Sequence, residues 1–165
     1  MKKRTACLFA LMLAMTTALT GCTGENKLDN SAEAASVDGV SIPLGEVNFL
    51  LRYQQTQMSA YSSYFGEDFM NQDLSGSGSI YGETVKSSIV DTLEEYYLVE
   101  AHAEELGESL GDEEKAAAED AAQSFLDAND SKTLTVMSAD KDTVAHVLEL
   151  MAIQQKVYGN LAQTI

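Results

Sequence analysis

The sequence predicts a small all-α domain of about four main helices, preceded by only a minimal extended turn. The strongest signal is the stretch 84–106, which contains neither proline nor glycine and carries apolar residues at helical spacing. Comparable patterns occupy about 44–60 and 138–161. Gly107 follows the stretch 84–106, at a position where a left-handed helix end favours glycine. We therefore predict that 84–106 is the central helix and that neighbours contact it on more than one side.

The first 21 residues have the composition of a bacterial lipoprotein signal peptide. A positive start, Met1-Lys2-Lys3-Arg4, precedes an apolar run that is too short for a comfortable membrane span. The following Leu19-Thr20-Gly21-Cys22 resembles a lipobox, in which small residues fit the signal peptidase and the cysteine thiol accepts a diacylglycerol. We predict cleavage before Cys22 and lipidation of Cys22, with two or three acyl chains giving firm anchoring. The alternative is an ordinary signal peptide that ends near a cysteine.

Residues 22–35 are mostly small and polar, which predicts a flexible tether between the lipid and the folded domain. Asp38-Gly39 then lies between Val37 and Val40, a pattern typical of a tight turn joining two short extended pieces. Pro43 follows at a helix start, where its missing N–H does no harm.

The segment between the first helix and the central helix is rich in aromatic residues and methionine, interleaved with small polar residues. These side chains either plug the end of the bundle or form an adaptable apolar docking surface for extended peptides. The second interpretation gives six candidate peptide-binding residues: Met58, Tyr61, Tyr64, Phe65, Phe69 and Met70. Within the same segment, the alternating serines and glycines of 75–79 predict a flexible loop.

The last part of the chain predicts an alanine-rich helix and then a longer helix that packs against the central one. The alanine-rich helix has little apolar bulk, so close packing of its alanines with Phe125 and Leu126 as anchors is expected. Residues 132–137 are either a short helix or an irregular link. Ser138 is a good N-cap for the last helix, with Asp140 just inside it.

The charge of the chain is strongly negative. It holds 26 acidic and 10 basic residues, a formal charge of −16, and loss of Lys2, Lys3 and Arg4 leaves 7 basic residues and a charge of −19. So acidic a protein repels nucleic acid and anionic lipid headgroups, and we predict no nucleic-acid partner. The acidic residues either form a solvated face or attract basic polypeptides.

No catalytic centre emerges from the sequence. Cys7 and Cys22 both belong to the signal region, so no disulfide framework is expected. His102 and His146 are the only histidines, and their helical surroundings predict structural roles. No serine, cysteine or threonine has a recognisable nucleophile setting, and phosphate-binding loops are absent. We therefore expect no cofactor, no metal, no catalytic residue and no small-molecule substrate.

Residues from about 36 to 161 resemble the N-terminal chaperone region of SurA-like and PrsA-like foldases. The resemblance rests on several short pieces in order: Val37-Asp38-Gly39-Val40-Ser41-Ile42, Phe65-Gly66-Glu67-Asp68-Phe69, Tyr81-Gly82-Glu83-Thr84-Val85-Lys86, the helix end Glu100-Ala101-His102-Ala103-Glu104-Glu105-Leu106-Gly107 and Leu110-Gly111-Asp112-Glu113-Glu114-Lys115. It implies a SurA N-terminal-like helical chaperone domain over 36–165. It also implies a place on the outer face of the bacterial cytoplasmic membrane, where such lipoproteins help exported chains to fold. The family often carries a parvulin-type prolyl isomerase domain, and the 165 residues here contain no parvulin-like segment.

These observations lead to one main functional hypothesis and two alternatives. The main hypothesis is a membrane-anchored, ATP-independent chaperone or foldase-type lipoprotein that binds unfolded or exported polypeptides through an apolar cleft. The first alternative is a structural envelope lipoprotein with one fixed protein partner. The second is a peptidyl-prolyl isomerase, if the chain is a fragment of a longer foldase.

Overall fold

The computed structural model describes residues 28–59, 64, 66 and 68–164. Over these residues the protein is mostly helical, with one small two-stranded sheet. Two strands come first, β1 (Glu33–Val37) and β2 (Val40–Pro43), followed by α1 (Leu44–Ser59) and a single 3-10 turn at Phe69–Asn71. Four further helices follow: α2 (Tyr81–His102), α3 (Asp112–Asp127), α4 (Ser131–Met137) and α5 (Lys141–Thr164). The predicted helical domain with a short extended turn is confirmed at this level of description.

β1 and β2 form an antiparallel hairpin whose last pair is Val37 opposite Val40. Asp38 and Gly39 both have positive φ values, 52° and 79°, which is the backbone of the tight turn that the Asp-Gly pair predicts. β1 begins at Glu33, so the first strand includes the end of the segment predicted to be a flexible tether.

The residues before β1 are also fastened to the domain. The first N–H groups of α1 have no partner inside the helix. Leu44 N–H donates to the carbonyl of Ala32 at 2.8 Å, and Gly45 N–H donates to that of Asn30 at 3.0 Å. The Asp29 carboxylate accepts from both the backbone N–H and the hydroxyl of Ser31. The folded body therefore starts by about residue 29.

One apolar core joins the hairpin and all the helices that the structure describes. Phe49 of α1 is fully buried, and its ring meets that of Phe125 of α3 edge to face at a centroid distance of 5.6 Å. Ala118 and Ala122 of α3 are also fully buried, so this helix does pack closely through its alanines, as predicted. Other side chains with no exposed surface in this core are Ile42, Leu93, Val144, Val147 and Leu150.

The central helix α2 is shifted toward the N-terminus relative to the predicted stretch 84–106. It begins at Tyr81, and regular α-helix ends at His102, after which the chain continues in hydrogen-bonded turns. Gly107 has a φ of 79°, and the following Glu108 N–H donates to the carbonyl of Ala103 at 2.9 Å. This is the left-handed glycine termination that the sequence predicts.

The start of α5 differs from the prediction. Ser138 does not cap α5: it lies at the end of α4 with a φ of 55°, and its buried hydroxyl accepts a hydrogen bond from Asn48 Nδ2 at 2.8 Å. Asp140 is the N-cap instead, because its carboxylate accepts from Thr143 N–H at 2.8 Å. The ambiguous residues 132–137 form helix α4, capped by Asp130.

Candidate functional site

The structure distributes the six predicted peptide-binding residues over different environments. Met58, on the last turn of α1, and Met70, in the 3-10 turn, are half-buried. Tyr64 is 82 % exposed, whereas Phe69 is only 5 % exposed. Tyr61 and Phe65 lie outside the described residues. Phe69 therefore belongs to the interior, and Tyr64 faces solvent.

Phe69 fixes the second half of the α1–α2 connection to the start of α2. Its ring lies 5.9 Å from the ring of Tyr81, and Tyr81 N–H donates to the carbonyl of Gln72 at 2.8 Å. Gly82 permits this close approach, because a Cβ at that position would lie 3.0 Å from the carbonyl oxygen of Met70. Phe69 is therefore packed against the start of α2 and is not exposed to solvent.

The serine–glycine loop that follows is organised around the carboxylate of Asp73. One carboxylate oxygen accepts from the N–H groups of Ser75 and Ser77 at 3.2 Å, and the other accepts from Gly78 N–H at 2.7 Å. The bond from Gly78 is the main reason why the pKa of Asp73 lies below its ordinary value. The loop is non-helical as predicted, and its glycines allow the backbone to wrap around one side chain.

Three large apolar side chains of the α1–α2 connection face water: Tyr64, Leu74 and Ile80, with exposed fractions of 82 %, 47 % and 38 %. Sequence reasoning selected Tyr64 and missed the other two. Leu74 lies beside the segment predicted to be a flexible loop, and Ile80 lies just before a helix. No sequence pattern marked either of them as a binding residue. We define Tyr64, Leu74 and Ile80 as the connection surface.

A second feature is a polar cluster inside the helical bundle, which the sequence did not reveal. Glu46 of α1 is only 5 % exposed, and its carboxylate accepts from Tyr97 Oη at 2.9 Å and from His146 Nδ1 at 2.8 Å. The imidazole lies edge to face with the Tyr97 ring, and its Nε2 is 3.8 Å from a carboxylate oxygen of Glu100. The cluster thus joins α1, α2 and α5.

The cluster keeps His146 protonated at neutral pH. Interactions with the carboxylates of Glu100 and Glu46 raise the pKa of His146 from 6.5 to about 10. The contact to Glu46 is the shorter of the two, so it is the firm hydrogen bond. Burial, together with the neighbouring Glu46 charge, raises the pKa of Tyr97. An imidazolium with both nitrogens directed at carboxylates holds helices together and has no lone pair with which to act as a base.

His102 has a separate, exposed position. Its Nδ1 lies 3.1 Å from Glu105 and its Nε2 lies 3.4 Å from Asp38 in the hairpin turn. Hydrogen bonding to Glu105 and then Asp38 raises its pKa. The two carboxylates meet opposite sides of the ring and so do not converge on one point. Over the described part of the chain, no three histidine, cysteine or acidic side chains are arranged to hold a metal ion.

These features define a mostly helical domain with exposed apolar side chains in one inter-helix segment and a partly buried ionic cluster between helices. No helix among the described residues is both long and apolar enough to cross a bilayer. No protein-family model, curated protein or solved structure matches the chain.

Proposed function

We propose that the protein is a lipid-anchored, extracytoplasmic chaperone that binds unfolded or exported polypeptides without ATP or covalent chemistry. In this proposal it resembles the N-terminal domain of SurA-like and PrsA-like foldases. The observation that carries the proposal is the connection surface, where three large apolar side chains are exposed to water although many other apolar side chains of the domain are buried. Such side chains suit weak, adaptable contacts with many polypeptides.

The charge of the chain supports the same proposal. The formal charge is −16 for the whole sequence and −19 without Lys2, Lys3 and Arg4, and it keeps protein molecules apart, so an exposed apolar surface is less prone to self-association. Basic, unfolded segments are attracted over longer range, and apolar contacts then hold them at short range. Both effects suit a protein that meets unfolded chains at a membrane surface.

The proposal is tested by aggregation suppression. An unfolded exported protein is diluted into buffer with the wild-type protein or with a Tyr64→Ser/Leu74→Ser/Ile80→Ser variant, and light scattering is followed. We expect the variant to lose most of the suppression. Tyr158→Ser is the matched control, because Tyr158 is 46 % exposed on α5, away from the connection. Equal suppression by the folded triple variant removes the connection surface from the site.

Crosslinking in cells separates the chaperone from a structural lipoprotein. A photoreactive residue at position 64 is expected to capture many exported proteins. One stoichiometric product points to a fixed partner in the envelope instead.

The membrane anchor is tested separately. We expect Cys22→Ser to move the protein from the membrane fraction to the soluble fraction and to abolish incorporation of labelled fatty acid. Fatty-acid labelling that persists in the variant contradicts lipidation at Cys22.

A further inference from the structure

Arg52 of α1 is a cation without an acidic partner in a chain rich in acids. It is the only arginine after Arg4 in a sequence that contains 26 acidic residues. Lys86, Lys141 and Lys156 each pair with a glutamate, yet among the described residues Arg52 makes no ion pair. Its side chain is half-buried, unlike those of Lys115 and Lys132, which are exposed.

The guanidinium group is poorly satisfied for its degree of burial. One Nη1 hydrogen bond reaches Gln55 Oε1 at 3.0 Å, whereas Nε is buried and has no hydrogen-bond acceptor. A guanidinium offers five N–H donors, and a buried donor without an acceptor costs stability. At a purely structural position, a neutral side chain of the same length would cost less free energy, because it would leave no charged group partly buried.

The unused edge of the group has a defined chemical preference. Nε and Nη2 form a planar fork that matches a carboxylate with two parallel hydrogen bonds. Nη2 makes no hydrogen bond within the described residues and is not sealed from solvent as Nε is. Because Nε is buried, the arginine side chain has to rotate before a carboxylate bound at Nη2 can also accept from Nε.

Arg52 lies on the half of α1 that leads into the α1–α2 connection. Arg52 lies one turn beyond Asn48, the residue that binds α4, and seven residues before the end of α1 at Ser59, or about 10 Å along the helix axis. The α1–α2 connection, with Tyr64, starts from that end. Free anions are repelled by the negative chain, whereas a polypeptide offsets this repulsion with apolar contacts.

We infer that the Nε–Nη2 edge of Arg52 receives a carboxylate of a bound polypeptide, from its C-terminus or from an acidic side chain. This inference rests on the proposed function, because it specifies which chemical group of the client the domain recognises.

The test compares three peptides of one extended, apolar sequence on the full-length protein, by fluorescence anisotropy. One ends in a free carboxylate, one ends in an amide, and one ends in an amide but carries a single internal glutamate. We expect wild type to bind at least one carboxylate peptide about tenfold more tightly than the neutral amide, as one charge-assisted bidentate pair allows. The preferred peptide identifies the source of the carboxylate.

Variants assign the preference to Arg52. Arg52→Gln is expected to bind all three peptides as weakly as wild type binds the neutral amide, and Lys132→Gln is expected to keep the wild-type preference. Arg52→Lys keeps the charge but not the fork, and an intermediate preference is expected. Equal binding of all peptides by wild type, or equal loss in both neutralised variants, overturns the inference. If wild type binds all three peptides equally and tightly, the inference fails and the proposed function stands. If wild type binds none of the peptides, the inference and the proposed function both fail.

Thermal unfolding supplies a second measurement. A residue kept for ligand binding is expected to contribute little to stability, so Arg52→Met should leave the Tm unchanged or raise it. A clear fall in the Tm of Arg52→Met assigns the arginine a structural role and overturns the inference.

Discussion

His146 Nδ1 lies 2.8 Å from a carboxylate oxygen of Glu46, a residue 100 positions earlier whose side chain is almost fully withdrawn from water. A buried carboxylate requires a nearby positive charge or several hydrogen-bond donors. The imidazolium of His146 and the hydroxyl of Tyr97 meet that requirement. The first helix of the domain is thus held to the last through an ionic bond, in addition to the apolar core.

This ionic bond predicts a loss of stability at alkaline pH. The pKa of His146 is raised from 6.5 to about 10 on folding, so its contribution is fully present below about pH 6.5 and fades as the pH approaches 10. The groups that face the imidazole are Glu46, Glu100 and Tyr97. Urea unfolding of wild type and His146→Gln from pH 6 to 9.5 should show the stability difference shrinking with rising pH. A constant difference contradicts a charged His146.

The hydroxyl of Tyr97 should matter more than an equivalent hydroxyl at the surface. Tyr97→Phe removes a donor to a buried carboxylate, and we expect a loss of about 1–3 kcal/mol in the free energy of unfolding. Tyr158→Phe removes a 2.8 Å hydrogen bond to exposed Glu95, and we expect a loss below about 0.5 kcal/mol. Equal losses would show that burial of Glu46 does not determine how much this hydrogen bond contributes to the free energy of unfolding.

The amide of Asn48 should be necessary for the junction between α4 and α5. Its Nδ2 donates to the carbonyl of Val136 at 2.9 Å and to the hydroxyl of Ser138 at 2.8 Å. Asn48→Ala leaves both acceptors unpaired in a buried place, so a loss of about 1–3 kcal/mol is expected from chemical denaturation. Gln123→Ala is the control, since it removes only an exposed hydrogen bond to Asp127. A loss of similar size in the control refutes a special role for Asn48.

Two glycine substitutions should have opposite effects. Gly107→Ala places a side chain at a φ of 79°, and we expect a cost of about 1 kcal/mol from backbone strain alone, because a Cβ there meets nothing within 4 Å. Gly159→Ala lies inside α5, where a Cβ also has space, and should stabilise by about 0.5–1 kcal/mol. Tm measurements decide the sign at each position, and a shift in the same direction at both contradicts the expectation.

Local signals in the sequence predicted which stretches are helical better than they predicted where each helix begins and ends. The spacing of apolar residues in α2 and the glycine at position 107 act within a few residues, so they can be recognised without the rest of the fold. The Asp38-Gly39 turn is of the same kind. The prediction of Ser138 as the N-cap of α5 was wrong because its hydroxyl accepts a hydrogen bond from Asn48, which lies 90 residues away in the sequence.

The candidate site could also be predicted only in part, because it depends on contacts between residues that are distant in the sequence. The composition of 58–81 shows that aromatic side chains gather there, but not which of them face water. Phe69 is buried with its ring against that of Tyr81, whereas Tyr64 is exposed, and both outcomes are properties of the folded chain. The cluster of Glu46, Tyr97 and His146 joins three distant helices and leaves no local pattern in the sequence.

The hydrogen bonds that fasten Asn30 and Ala32 to the start of α1 limit how far the folded domain can lie from the proposed lipid on Cys22. Cys22 and Asn30 are only eight positions apart, and a fully extended chain of that length covers at most about 29 Å. If Cys22 carries the proposed lipid, this length confines the folded domain to the neighbourhood of the bilayer, and the proposed chaperone would reach polypeptides close to the membrane from which they emerge.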